Sequence, residues 1–432
     1  MSSTVSHHLG ALAAASTLLA ALLIATLALP ATAAGPKVKW TRQFGTGAMD
    51  MALGVDVDRV GRAYVGGVTG GTFPGQVYHG EVDAYVRKYK AGGAVLWTRM
   101  FGTASDDFVF GVAVHRKGRA YAVGMTNGQL PGQANHGGYD AFVRAYRPNG
   151  VAAWTHQFGT PGDDQASAAA VDPKGRIYVA GTTQGILPGQ ASYGGADAFV
   201  RRYRPNGGVL WTRQFGTGGS DSTRGITIDR KGRIYVVGST TGTLGGGPNK
   251  GGADMFVRKY RPNGTVAWTR TFGTSANDRA TTVAVDRLGR IIVAGSTEGA
   301  FPGYVNKGHS DIALRKYRPN GSVAWTRQFG TAGDEEPSGI TFDKGGRAYV
   351  VGTTEGALPG QTSKGSTDAF VRKYRPNGSI AWTRQFGTSQ VDLASGTRID
   401  PNGHLLVAGG TTGKLPGQAS KGQMDGYVRK YR

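Results

Sequence analysis

Residues 165–217 read QASAAAVDPKGRIYVAGTTQGILPGQASYGGADAFVRRYRPNGGVLWTRQFGT, and the fold follows from this stretch. Four strand-like runs, at 168–172, 176–182, 198–203 and 209–215, are separated by turn residues. Pro173-Lys174-Gly175 divides the first two runs, and Arg204-Pro205-Asn206-Gly207 divides the last two. The second turn places Pro at its second position and Gly where a left-handed backbone is needed, which is hairpin chemistry. Runs two and three are joined by a longer loop carrying Leu187-Pro188-Gly189-Gln190.

The unit recurs. Trp211 belongs to the series Trp40, Trp97, Trp154, Trp211, Trp268, Trp325 and Trp382, spaced 57 residues apart, and these are all the tryptophans in the chain. A fixed period without insertion means stacked copies of one structural unit. Four antiparallel strands repeated seven times predict an all-β, seven-bladed β-propeller. The first copy opens with a lone fourth strand, 38–44, and the last closes with a third strand, 426–431. Pairing these two completes the seventh sheet, closes the ring and removes two exposed strand edges. The first strand of each copy is small or β-branched and belongs at the crowded axis; the fourth, bearing Trp and Phe, belongs outside. On the sixth hairpin the expected pairs are Tyr374 with Ile380 and Arg372 with Trp382, which sets a guanidinium beside an indole.

Composition supports many strands and turns: 72 glycines in 432 residues, no cysteine, and a formal charge of +22. An apolar, uncharged run ends in Ala31-Thr32-Ala33, a secretory signal segment with a small-residue cleavage site. The expected organisation is therefore a signal segment over 1–33, with an uncleaved anchor as its alternative, and one propeller domain over 34–432. No second apolar stretch is long enough to span a bilayer. The expected location is secreted, extracellular or at the cell surface, as a monomer.

The motifs Trp-Thr-Arg-Gln-Phe-Gly-Thr, Asp-x-x-Gly-Arg, Tyr-Val-x-Gly-x-Thr, Asp-Ala-Phe-Val-Arg-Lys-Tyr and Pro-Asn-Gly resemble the bacterial SBBP repeat, named for a seven-bladed propeller. The resemblance covers residues 38–432. Phe44, Phe101, Phe158, Phe215, Phe272, Phe329 and Phe386 form one shared column. Ala313, in place of a third-strand aromatic, and Gly245, in place of the loop proline, depart from the pattern. The resemblance implies an exported or surface repeat protein, and it transfers no catalytic residue.

Four columns are candidates for function. Asp50, Asp107, Asp164, Asp221, Asp278, Glu335 and Asp392 enter the innermost strands, so symmetry sets them around one channel mouth. A carboxylate ring there suits a hard cation, but one acid per blade is a thin ligand set. The favoured reading is a carboxylate tying down its own turn, and no metal or cofactor is expected. A second acid column, Asp83 to Asp425, opens every third strand as a loop-closing acceptor. The basic columns are Arg87 to Arg429 in every copy and Arg62, Arg119, Arg176, Arg233, Arg290 and Arg347 in six. Chain direction sets the latter opposite the acid ring, a basic face suited to an acidic polysaccharide or other envelope polyanion. Surface solubility is the plainer account. The fourth column is the loop glutamine: Gln76, Gln133, Gln190, Gln361 and Gln418. Long loops on a rigid scaffold suit ligand binding, here sugars, but simple loop packing is the favoured reading.

Catalytic constellations are missing. The histidines show no metal-ligand spacing, and no serine sits in a nucleophile setting. The leading expectation is a non-enzymatic exported scaffold that binds an envelope or extracellular component. A multivalent lectin-like propeller comes second and a propeller-fold enzyme third. An enzyme would break the repeat symmetry on the channel face, and read in one dimension the copies differ mainly in their loops.

Overall fold

The computed structural model describes residues 35–432; the predicted signal segment lies outside the described residues. Seven four-stranded antiparallel sheets form seven blades, and in six of them the strands run in sequence order from the axis outward. Blade 1 consists of Asp50–Val57, Ala63–Thr69, Asp83–Tyr89 and Val95–Phe101, and the next five repeat it every 57 residues. The inner strands of adjacent blades contact one another around a complete ring.

Blade 7 closes that ring. Its inner three strands are Asp392–Ile399, Leu405–Thr411 and Asp425–Tyr431, and its outer strand is Val38–Phe44 from the start of the chain. Val38 pairs with Tyr431 and Phe44 with Gly426, as the incomplete copies at the two ends predict.

Two details differ from the expectation. The inner strand of blade 3 begins at Asp164 rather than at 168. A bulge between Ala166 and Ala168 inserts Ser167, so the in–out alternation that marks a strand is broken at its start. On the sixth hairpin Tyr374 does pair with Ile380, but a second bulge sets Lys373 opposite Trp382 and Arg372 opposite Thr383.

That one-residue shift changes what the conserved-spacing arginines do. Arg372 leaves its own Trp382 and lies over the Phe329 ring of the preceding blade, 3.8 Å from its centroid. The same arrangement holds for Arg201 over Phe158 at 3.9 Å and for Arg87 over Phe44 at 4.4 Å. Every blade repeats it. Desolvated cation–π contacts of this kind contribute up to about 2 kcal/mol each. Each guanidinium also donates to a threonine on the adjacent outer strand, as Arg201 Nε does to Thr212 Oγ1 at 2.9 Å.

The tryptophan period has a similar cause. Trp154 Nε1 donates to the Pro205 carbonyl of the next blade's hairpin at 3.2 Å, and Trp40 does the same to Ala91. The hairpin glycine that follows has φ near +90° and lies against the indole. A Cβ on Gly264 would come 2.9 Å from Trp211, so this position needs glycine for both its backbone and its space.

Candidate functional site

The seven acids entering the inner strands are buried, not displayed at a mouth. Asp50, Asp107, Asp164, Asp221, Asp278 and Asp392 have no exposed surface, and Glu335 is 1% exposed. One carboxylate oxygen of Asp164 accepts from Thr160 N at 2.6 Å and from Thr160 Oγ1 at 2.8 Å, which locks the Phe-Gly-Thr turn between blades. The other blades repeat this lock.

The second acid column lies beside the first. Asp140 Oδ2 accepts the His136 amide at 2.8 Å and so closes the long loop. A Cβ on Gly102 would lie 2.4 Å from Asp83 Oδ1 and 2.7 Å from Asp107 Oδ2, so a carboxylate pair flanks this glycine. Burial pushes Asp107 up to about 6, the neighbouring charge of Asp83 adds to the rise, and hydrogen bonds from Thr126 and Thr103 oppose it. Asp50, Asp164, Asp278 and Glu335 are raised for the same leading reason, burial.

The pH dependence follows from the sign of these shifts. The native protein holds protons that the unfolded chain has released, so stability falls as pH rises. For Asp107 the contribution is complete below the unfolded value of 3.8 and is lost as pH passes about 6. Its full size is about 3 kcal/mol at 1.36 kcal/mol per unit. Asp400 works the other way: burial tends to raise it, but hydrogen bonds from Lys430 and His404 hold it below its ordinary value. The melting temperature should therefore be higher at pH 5 than at pH 7.5, and Asp107→Asn should reduce that difference. Thermal unfolding at the two pH values checks this, and a melting temperature that falls on acidification to pH 5 contradicts it.

The loop glutamines also turn inward. Gln190 Oε1 accepts the Gln214 backbone amide at 3.0 Å, and Gln214 Oε1 accepts the Leu187 amide at 3.0 Å. Gln214 Nε2 also donates to Asp197 at 2.8 Å. Gln133, Gln361 and Gln418 form the same clasp, and Gln76 caps Met100 N. These amides satisfy the free edge of the outer strand, and their oxygens are already engaged. The Gln214 column was not among the sequence candidates. Its only sequence signal is its place in the motif Trp-Thr-Arg-Gln-Phe.

On the opposite face, the arginines of the Asp-x-x-Gly-Arg motif are paired with the motif's own aspartate. Arg62–Asp58, Arg176–Asp172 and Arg347–Asp343 are 2.6 Å apart, Arg290–Asp286 is 2.5 Å, and Arg233 pairs with Asp229. In blade 2, where His115 replaces the aspartate, Arg119 donates to the Pro205 carbonyl instead. The free charge lies three residues earlier. Arg59, Arg116, Arg230, Arg287 and Lys344 immediately follow the motif's first position, are exposed, and line a cavity of about 500 Å³ at this end of the channel. Among the described residues none of these five side chains forms an ion pair. Sequence reasoning missed this column because prolines at 173 and 401 interrupt it.

Among the described residues no group of three or more His, Asp or Glu is placed to hold a metal ion, and no helix is long and apolar enough to cross a membrane.

The SBBP family model, a beta-propeller repeat, matches residues 153–188, 210–246 and 324–358. The chain is 26% identical over 377 residues to the regulatory protein FlaEY of Caulobacter vibrioides, covering 82% of this chain and 35% of that protein. It is 23% identical over 467 residues to an uncharacterized WD repeat-containing protein, L264, of Acanthamoeba polyphaga mimivirus, covering 82% and 34%. The chain thus spans about a third of the length of these curated relatives. Among solved structures, the Pan2 WD40 domain of Neurospora crassa is similar at 13% identity and a TM-score of 0.43, with 74% of this chain and 88% of that one covered. With the same unit folded seven times, this chain is a seven-bladed β-propeller, and three stretches of it match the SBBP repeat.

Proposed function

We propose that the protein is an exported, non-enzymatic scaffold whose basic face holds an anionic polymer, an acidic polysaccharide or other polyanion of the cell envelope. The observation that carries this reading is the ring of unpaired cations Arg59, Arg116, Arg230, Arg287 and Lys344 around one end of the channel. Exposed Lys117, Lys174 and Lys231 extend it outward. Cations spaced around a rigid rim engage a flexible polyanion at several points at once, and each contact releases a condensed counterion. The apolar amino-terminal run supports export.

The lectin-like alternative draws less support. Its loop glutamines are committed to the outer strands, as described above, which leaves fewer polar groups for a sugar.

The test is binding of the full chain to polygalacturonate and to a short DNA duplex used as a probe polyanion. Four contacts predict that duplex affinity drops about a hundredfold between 50 and 200 mM salt. An absence of binding to both polymers at the lower salt concentration overturns the proposal.

A further inference from the structure

The repeat symmetry that governs the locks between blades is broken on the channel side of the face where the buried acids enter the inner strands. The position after each inner-strand acid differs in every blade; in blades 4 to 7 it lines the cavity at this mouth, and the repeat sets the residues of blades 1 to 3 at the equivalent place. Leu393, Met51 and Phe108 occupy it in blades 7, 1 and 2. Gln165 and Ser222 follow in blades 3 and 4, then Arg279 and Glu336 in blades 5 and 6.

The neighbouring strand changes in step. Phe108 pairs across the sheet with Met125 and Met51 with Val68, whereas Ser222 pairs with Ser239 and Glu336 with Thr353. Two residues further along, Phe110 stacks on Phe108 with centroids 5.8 Å apart and planes 4° from parallel. The corresponding residue in blade 4 is the exposed Arg224. Variation confined to loops does not explain paired changes on two strands, and they divide the mouth into an apolar half and a polar, charged half.

Arg224, Arg279, Glu336 and Leu393 line one cavity of about 550 Å³, within the usual size of a ligand pocket. Leu393 continues the apolar half through Met51 to Phe108. In a ring of seven, blade 2 faces blades 5 and 6 across the axis, so the stacked phenylalanines look toward Arg279 and Glu336. Arg279 is engaged by Glu298 at 3.3 Å, whereas Arg224 and Glu336 have no side-chain partner among the described residues. Near the apolar half, Met424 lies against Gly410 beside Met51, and methionine surfaces adapt to varied apolar side chains.

We infer that this mouth binds a short peptide segment that presents bulky apolar side chains to the Met and Phe wall and charges of both signs to Arg224 and Glu336. A simple anion is repelled by Glu336 and by the nearby Asp334 and Glu355, and a simple cation is repelled by Arg224 and Arg279. A peptide supplies an apolar group with both charges, and three extended residues span about 10 Å.

The probe is the tripeptide Phe-Leu-Phe with free termini, compared with its N-acetylated and its C-amidated forms by calorimetry on the full chain. The free peptide should bind at one site and bind tightest. Blade 3 carries Gln165 and Ser167 at the two aromatic positions, so Phe108→Gln with Phe110→Ser keeps residues the fold already accommodates. That variant should weaken binding about tenfold, equivalent to about 1.4 kcal/mol. Arg224→Ser should abolish the preference for a free carboxylate, and Glu336→Gln the preference for a free amine. Lys90→Gln, exposed on the outer hairpin of blade 1, should change nothing. The inference is overturned if the free peptide does not bind, if blocked and free termini bind alike, or if the aromatic and Arg224 variants both bind as the native protein does.

Discussion

Removing residues 425–432 should abolish the single cooperative unfolding transition of the ring. The strand Asp425–Tyr431 is central to blade 7, so its loss unpairs both Leu405–Thr411 and Val38–Phe44. It also removes Tyr427, Val428 and Tyr431, all fully buried, and the Arg429 guanidinium over Phe386. Burial of the three apolar side chains alone amounts to roughly 5–8 kcal/mol, comparable with the whole stability of an ordinary domain. Calorimetry should show a broad, low-temperature transition in place of one sharp peak. A truncated chain that melts like the intact one would mean that the ends of the ring are not joined as described.

The next largest effect is expected at the buried acids. Asp164→Ala strands the Thr160 amide and hydroxyl, both buried, and each orphaned donor costs about 1–3 kcal/mol. The total, about 2–6 kcal/mol, should lower the melting temperature by several degrees. Asp164→Asn keeps an acceptor oxygen at the same place and should cost far less. A cation-holding ring behaves differently, because there the charge matters and both variants should lose a stabilisation that added Ca²⁺ confers on the native protein. Equal losses in the two variants, together with such a calcium response, would contradict the turn-lock reading.

Much of the fold was legible because its locks join equivalent positions of neighbouring blades. Arg201 and Phe158 lie 43 residues apart in sequence, and the same contact recurs in every blade, so repeating the lock seven times forces a rigid period. Closure was legible for the same reason, since the two incomplete copies complete each other. The inner strands were harder to read. The bulge beside Ser167 breaks the alternation, and without a bulge position the strand start at Asp164 resembles loop.

The candidate sites were less legible because charge in sequence does not reveal its partner. Arg201 reads as a surface cation, but its guanidinium lies on Phe158, 43 residues upstream in the preceding blade. Arg176 reads as free, yet Asp172 neutralises it within its own turn. The unpaired cations were overlooked because Pro173 and Pro401 interrupt their column. The divided channel mouth required the register: only the pairing of Phe108 with Met125 and of Ser222 with Ser239 shows that two strands change together.

The central claim, that one face binds polyanion through its unpaired ring, is tested most directly by comparing salt dependence in two variants. One carries Arg59, Arg116, Arg230 and Arg287 replaced by Gln; the other carries Arg62, Arg176, Arg233 and Arg290 replaced by Gln. Each contact to duplex DNA contributes about 0.9 to the slope of log affinity against log salt. The first variant should lose up to about 3.6 of that slope. The second should lose much less, because each replaced guanidinium already neutralises an aspartate. Equal slopes in the native protein and the first variant, or a larger loss in the second, would contradict the account.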